Sequence, residues 1–274
     1  MRRDCAAPTL PSILCSKWYS RADMATRTSA VTGRADQARG DSGNAPARRK
    51  PASVTVLDHP MLQHKLTLLR QTSTTTGEFR QIMREIGPIL LYEATRDLPL
   101  TDRKIKTPLK SVRAPVLGGK KLCLVPVLRA GLGMVDAMLS FAPSARVGHI
   151  GLYRDPKTLE AIEYYFNMPR SLPARTIIVV DPMLATGHSA VAALSRLKQA
   201  GAKTLKLVCL LAAPAGIDLV QSAHPDVPVF VISIDEKLDD HAYIVPGLGD
   251  AGDRLFGTKK AAKPRKSPKS RKVR

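Results

Sequence analysis

From residue 122 onward the chain repeats one pattern: a short apolar run, a turn, a helical stretch, then another apolar run. The runs cover 122–127, 147–152, 176–180, 205–211 and 229–234, and they are rich in Val, Ile and Leu without apolar–polar alternation. A strand with one wet face alternates, whereas a strand buried on both faces does not. Helical stretches lie between the runs. In 189–200, for example, Val191, Leu194 and Leu197 share one side and Gly201 provides a stop. Strands alternating with helices predict an α/β fold with a doubly wound, mainly parallel sheet. Ligands of such sheets bind beyond the C-terminal ends of the strands, so function is to be sought in the loops found there.

The chain ahead of this pattern divides in two. Residues 1–53 follow neither the helical nor the strand period and read as a disordered extension. Arg and Ser are plentiful enough there for a transit peptide, but four aspartates count against one. Order is expected from Val54. Asp58 is the expected N-cap of a helix with Pro60 in its first turn and Leu62, Leu66 and Leu69 on one face. A second helix follows Thr76 and Gly77, with Phe79, Ile82, Met83, Ile86, Ile89 and Leu90 at helical spacing and Pro88 as a candidate kink. Residues 98–119 read as loop.

The charge of +20 suggests a polyanion partner until it is located. Residues 1–53 hold ten Lys/Arg against four Asp, and residues 260–274 hold eight Lys/Arg and no acid. Most of the excess therefore sits in two tails, leaving 54–259 mildly basic, as suits phosphorylated substrates. No apolar run approaches the ~20 residues that cross a bilayer. Cys5, Cys15, Cys123 and Cys209 form neither a C-x-x-C pair nor a metal-ligand cluster. Reduced thiols in the cytoplasm fit them better than a disulfide framework.

The most informative segment is 177–189, IIVVDPMLATGHS. An apolar strand ends in Asp181, and a loop of small and hydroxylated residues opens directly into a helix. Main-chain N–H groups from Ala185 to Ser189, helped by the helix dipole, make a monophosphate cradle, with hydroxyls from Thr186 and Ser189. The loop lacks the Lys of a nucleotide-triphosphate loop and the spacing of a dinucleotide loop. Two further loops lie at strand ends. One is VLRAGLG at 127–133, where Arg129 offers a forked cation and the glycines allow close backbone approach. The other is YRDP at 153–156, which a turn explains apart from Arg154. Near the end of the patterned region, 243–258 (YIVPGLGDAGDRLFGT) has four glycines and little periodicity.

These segments together resemble type I phosphoribosyltransferases, and DPMLATG resembles the uracil-specific branch. The resemblance spans about 54–259 and implies a sheet of that family's kind with an N-terminal helical segment and a flap. By resemblance the loop Asp181, Pro182, Met183, Leu184, Ala185, Thr186, Gly187, His188 and Ser189 holds the 5′-phosphate and ribose of 5-phosphoribosyl 1-diphosphate (PRPP). Arg129 and Arg154 take the diphosphate. Main-chain groups of Ile244, Gly249 and Ala251 read the uracil edge, and Asp250 lies toward PRPP. Asp181, Arg129 and Asp250 are the implied catalytic residues, with Asp250 the candidate to help uracil lose its N1 proton. Mg²⁺ would come with PRPP rather than on a protein carboxylate cluster. Activation by GTP and assembly into dimers or larger homo-oligomers are further implications of the resemblance.

One position departs from the branch. His188 stands where Gly is usual, either as a solvent-facing residue or, when protonated, as an extra phosphate contact. The segment to Phe166 is the expected flap, with Tyr164 and Tyr165 in packing roles. Two other readings stay open at this point. One is an RNA-binding regulator on the same fold, with 260–274 giving weak, salt-sensitive nucleic-acid contact, although that tail has no aromatic residue for base stacking. The other is a phosphoribosyltransferase for hypoxanthine, guanine or orotate.

Overall fold

The computed structural model describes residues 53–154 and 161–258. The expected extensions 1–53 and 260–274 lie outside these residues, apart from Ser53.

The described chain opens with an edge strand, β1 (Val54–Val56), leading into α1 (Pro60–Arg70) and α2 (Thr76–Ala94). The N-cap of α1 is His59, whose ring Nδ1 accepts the Met61 N–H at 3.2 Å, and not Asp58 as expected. Pro60 decides this. As the second helical residue it would offer no N–H to a capping side chain, whereas as the first it loses nothing. The start of α2 is closed by a capping box between Thr75 and Glu78. The helix runs unbroken through Pro88 and buries Phe79, Ile82, Met83, Ile86, Leu90 and Leu91.

Residues 98–119 are not a loop. They form an antiparallel hairpin, β2 (Leu100–Lys106) and β3 (Ser111–Leu117), paired only with each other. Its alternation is invisible in the sequence because the apolar residues of both strands remain at the surface. Leu100 and Leu117 are each about 60% exposed (62% and 61%).

The α/β part continues with β4 (Cys123–Leu128), α3 (Leu132–Phe141), β5 (Arg146–Val147), β6 (His149–Arg154) and β7 (Ala161–Asn167). Next come β8 (Thr176–Val180), β9 (Met183–Leu184), α4 (His188–Gln199), β10 (Thr204–Val208), β11 (Leu211–Ala212) and α5 (Pro214–Ala223). The described chain closes with β12 (Val229–Val231), β13 (Ser233–Ile234), β14 (Lys237–Leu238), β15 (Ile244–Val245) and α6 (Ala251–Phe256).

The main sheet has the order β1-β12-β10-β8-β4-β6-β7, with β5 beside β4. Its pairs are parallel except β6–β7, which are antiparallel and lie in the segment expected to form the flap. The central strand β8 shows why both faces are apolar. Ile178 and Val180 enter one core with α1, α2, α3 and α6, while Ile177 and Val179 enter the other with α4 and α5. The two-residue strands β9, β11 and β13 make a separate parallel ribbon just past the ends of β8, β10 and β12. Among the described residues no helix is long and apolar enough to cross a membrane.

Candidate active site

Every sequence-derived site segment falls at the C-terminal end of the parallel sheet. The phosphate loop begins where β8 stops. Asp181 continues the ladder through its own N–H to Val208 O at 3.1 Å. Its carboxylate accepts the Met183 N–H at 3.4 Å, which folds the chain back into β9. Asp181 is half-buried, and burial pushes its carboxyl up to about 7, with only the Met183 N–H acting the other way. A carboxyl poised there holds its proton or gives it up according to what arrives beside it.

The turn into α4 depends on Gly187, which is its N-cap at φ +86°. The left-handed residue is therefore Gly187 and not His188, so no strain falls on the histidine. His188 is the first residue of α4 and is exposed, as the solvent-facing reading expects. The loop is backed by α5. A Cβ at Gly216 would lie 2.5 Å from Ala185 O and 2.7 Å from Leu184 O. The first-turn amides of α4 have no partner within their own helix.

The 127–133 loop packs against the same strand end. A Cβ on Gly131 would stand 2.3 Å from Val180 O, so only glycine lets the two loops meet. Arg129 follows a cis peptide after Leu128, is exposed, and has its guanidinium carbon 5.9 Å from the centroid of the Phe256 ring. Arg154 ends β6, two strands from Asp181, and its side chain lies outside the described residues. On β7, Tyr164 is exposed and its ring fills the space beside Gly151, so packing suits it.

The glycine-rich segment 243–258 is ordered. It supplies β15, a cis Val245–Pro246 bond, a tight turn at Gly247 (φ +59°) and the six-residue α6. The main chain at Gly249 (φ +78°) borders open space, with no atom within 4 Å of where a Cβ would stand. Asp250 caps α6, accepting the Asp253 N–H at 2.8 Å, which leaves Ala251 as first helical residue. Ile244 and Ala251 are buried.

Three residues that sequence reasoning passed over hold this segment. Arg254 donates to Leu69 O, to Gln71 O at 2.6 Å and to Leu248 O at 2.9 Å, and lies over the Phe79 ring. Arg70 and Asp235 form a two-pronged pair beside Gly247. Burial pushes the Asp235 carboxyl up, but the Arg70 guanidinium and the Gly247 N–H outweigh it and leave the group below its usual range. Asp235 did carry a signal, since it is an acid directly after a strand, as Asp181 is. Arg70 and Arg254 carried none, since charged helix residues are ordinarily solvated.

No group of three or more His, Cys, Asp or Glu able to hold a metal occurs among the described residues. Asp181 and Asp250 with open loops fit a hydrated Mg²⁺ delivered on a diphosphate. Cys123 and Cys209 are free and buried, and burial raises both thiols, Cys123 to about 11.

A parallel sheet with a phosphate loop at one strand end, an arginine loop at the next and a flap beyond defines a type I phosphoribosyltransferase. The uracil phosphoribosyltransferase family profile matches residues 56–258. Uracil phosphoribosyltransferases of Staphylococcus epidermidis and Variovorax paradoxus are 59% and 57% identical over 208 residues, covering 76% of this chain and all of theirs. Among solved structures, the AQ2163 protein of Aquifex aeolicus superposes with a TM-score of 0.72 at 35% identity, covering 75% of this chain and 99% of its own. The chain belongs to the uracil phosphoribosyltransferase family, and is an enzyme of the pentosyltransferase class.

Proposed function

We propose that this site makes UMP and diphosphate from uracil and PRPP, a pyrimidine salvage reaction. The observation that carries the reading is the placement of the base loop. Its helix α6 packs beside the 127–133 loop, and its Gly249 main chain borders open space.

In the reaction uracil N1 forms a bond to the ribose anomeric carbon as the C–O bond to diphosphate breaks, and the diphosphate leaves with the electron pair. The proton on N1 passes to Asp250 or solvent. The loop from Asp181 to Ser189 holds the 5′-phosphate on main-chain N–H groups and on Thr186 and Ser189, while Asp181 accepts from the ribose hydroxyls. Arg129 and Arg154 face the diphosphate and oppose the charge that develops on it. Bound with PRPP, Mg²⁺ neutralises diphosphate oxygens. Catalysis of this kind is mostly alignment, so rigid loops matter more than a strong base. Uracil presents acceptor, donor and acceptor in order, and a fixed main chain rejects cytosine by leaving buried groups unpaired.

The test is UMP formation from PRPP, Mg²⁺ and uracil, with cytosine, hypoxanthine and orotate in parallel. UMP from uracil alone is expected. Product from another base and not from uracil overturns the reading.

The catalytic domain is 54–259, with 1–53 and 260–274 as appended segments, and the cytoplasm suits its reduced cysteines. A homo-oligomer is supported by the β2–β3 hairpin. Two strands alone are marginal in water, and Leu109 at its tip is 95% exposed, so a second copy is the natural cover. Sedimentation of the Leu109→Asp variant should show smaller particles. GTP activation would need a second site. A cavity of about 950 Å³ at the opposite end of the sheet, bordered by Arg96, Lys120, Lys121 and Arg175, has the volume and charge for a nucleotide. The 260–274 segment gives weak, salt-sensitive nucleic-acid contact that deletion should remove.

A further inference from the structure

The base loop is to recognise its ligand through main-chain groups, yet a glycine-rich main chain has no stiffness of its own. The restraint comes from a charged pair 165 residues apart in sequence. Arg70 ends α1, and its two terminal nitrogens reach the two oxygens of Asp235, each at 2.6 Å. The same Arg70 Nη1 donates to Gly247 O at 2.9 Å, and Asp235 Oδ2 accepts the Gly247 N–H at 2.9 Å. Both polar groups of one residue are thus held by the pair. Ser233 Oγ completes it, donating to Asp235 Oδ1 at 3.0 Å.

Asp235 is itself tied to the phosphate loop. Its N–H donates to Ala212 O at 2.8 Å, and Ala212 pairs in parallel with Leu184 of that loop. A continuous path therefore runs from Leu184 through Ala212 and Asp235 to Gly247. At the turn itself a Cβ on Gly247 would lie 2.0 Å from Ile244 O, so the turn is closed tightly onto a residue assigned to base reading.

We propose that Arg70 and Asp235 are a positioning pair that fixes the base-reading main chain in register with the phosphate loop. The inference rests on the base-loop reading given above. Neither side chain contacts substrate in this scheme, since both Asp235 oxygens are occupied by protein donors. The pair acts through Gly247. In-line attack needs the incoming nitrogen within a few tenths of an ångström of its line, and a misplacement of ~1 Å from such a change costs up to ~100-fold. Forked arginine–carboxylate geometry supplies direction as well as attraction, which lysine at the same place does not.

The experiment uses the full chain and the variants Arg70→Lys and Asp235→Asn, each checked for fold by circular dichroism and melting. In Arg70→Lys the KM for uracil is expected to rise about tenfold or more, with the Kd for Mg²⁺–PRPP measured without uracil staying within about twofold. Asp235→Asn should show the same split, and serves alone if Arg70→Lys does not fold. A uracil KM within about twofold of the parent, or a PRPP Kd that moves by the same factor, overturns the proposal. Gly249→Ala separates this from failure of the base-loop reading. If Gly249→Ala leaves the uracil KM unchanged, the reading itself fails. If it raises that KM while Arg70→Lys does not, only the positioning pair fails.

Discussion

The phosphate loop and the base loop end at one site but are held by different means. The phosphate loop takes its shape from its neighbours in the sheet: β8 leads in, α4 leads out, and α5 closes behind it. It presents the first-turn amides of a helix start, as any strand–turn–helix of the right composition would. The base loop has no such frame. Its turn is fixed by Arg70 and Asp235, and its helix by Arg254 reaching back to the end of α1. The contrast teaches that a site built on regular structure tolerates changes in remote side chains, whereas one built on irregular main chain depends on them.

The largest test of the contrast removes charge from the phosphate side. Asp181→Asn should lower kcat/KM by ~100-fold or more while leaving the fold intact, because the ribose loses its anchor in a water-poor site. Steady-state kinetics decides it, and a loss under tenfold would show that main-chain amides alone carry this loop. Next, Gly216→Ala pushes directly on Ala185 O and Leu184 O. The PRPP KM should rise about tenfold with the uracil KM nearly unchanged, the mirror image of Arg70→Lys. Equal movement of both would mean that the loops behave as one unit.

A pH series sharpens the comparison further. With its carboxyl raised to about 7, Asp181 binds a proton in the free protein that the unfolded chain would release. The ligand-free protein should therefore lose stability as pH rises from about 4 through about 7. Ribose hydroxyls favour the ionised form, so PRPP binding expels the proton and the PRPP KM should rise as pH falls below 7, by up to about tenfold per unit. Asp181→Asn should flatten that profile. Asp235 has the opposite sign, since its lowered carboxyl supports the fold above about 4 and fails only as pH falls below it. The smallest effect is expected for Asp250→Ala. Loss of the cap on α6 should cost about 1 kcal/mol, read as a fall of a few degrees in Tm. A much larger loss of kcat at unchanged Tm would mark Asp250 as a base and not only a cap.

The sheet was legible because strands such as β8 are buried on both faces, and that condition leaves an unbroken apolar run. The turn from β8 into α4 was legible for a similar reason, since it is made of small residues at fixed positions beside a helix start. The hairpin β2–β3 was missed because its apolar residues face outward and leave no period of burial. The start of α1 moved from Asp58 to His59 because one missing N–H at Pro60 outweighs the better capping residue. Helix α6 was hidden by its six-residue length.

The sequence by itself determined the sheet, the order of its loops and the small-residue turn from β8 into α4. All of these depend on contacts between near neighbours in the chain, or on burial so complete that composition records it. Only the tertiary structure decided which residues make the base loop rigid. Arg70, Asp235 and Arg254 are ordinary charged residues until the fold sets them against the main-chain groups of a turn, because a hydrogen bond depends on position in space and leaves no period in sequence.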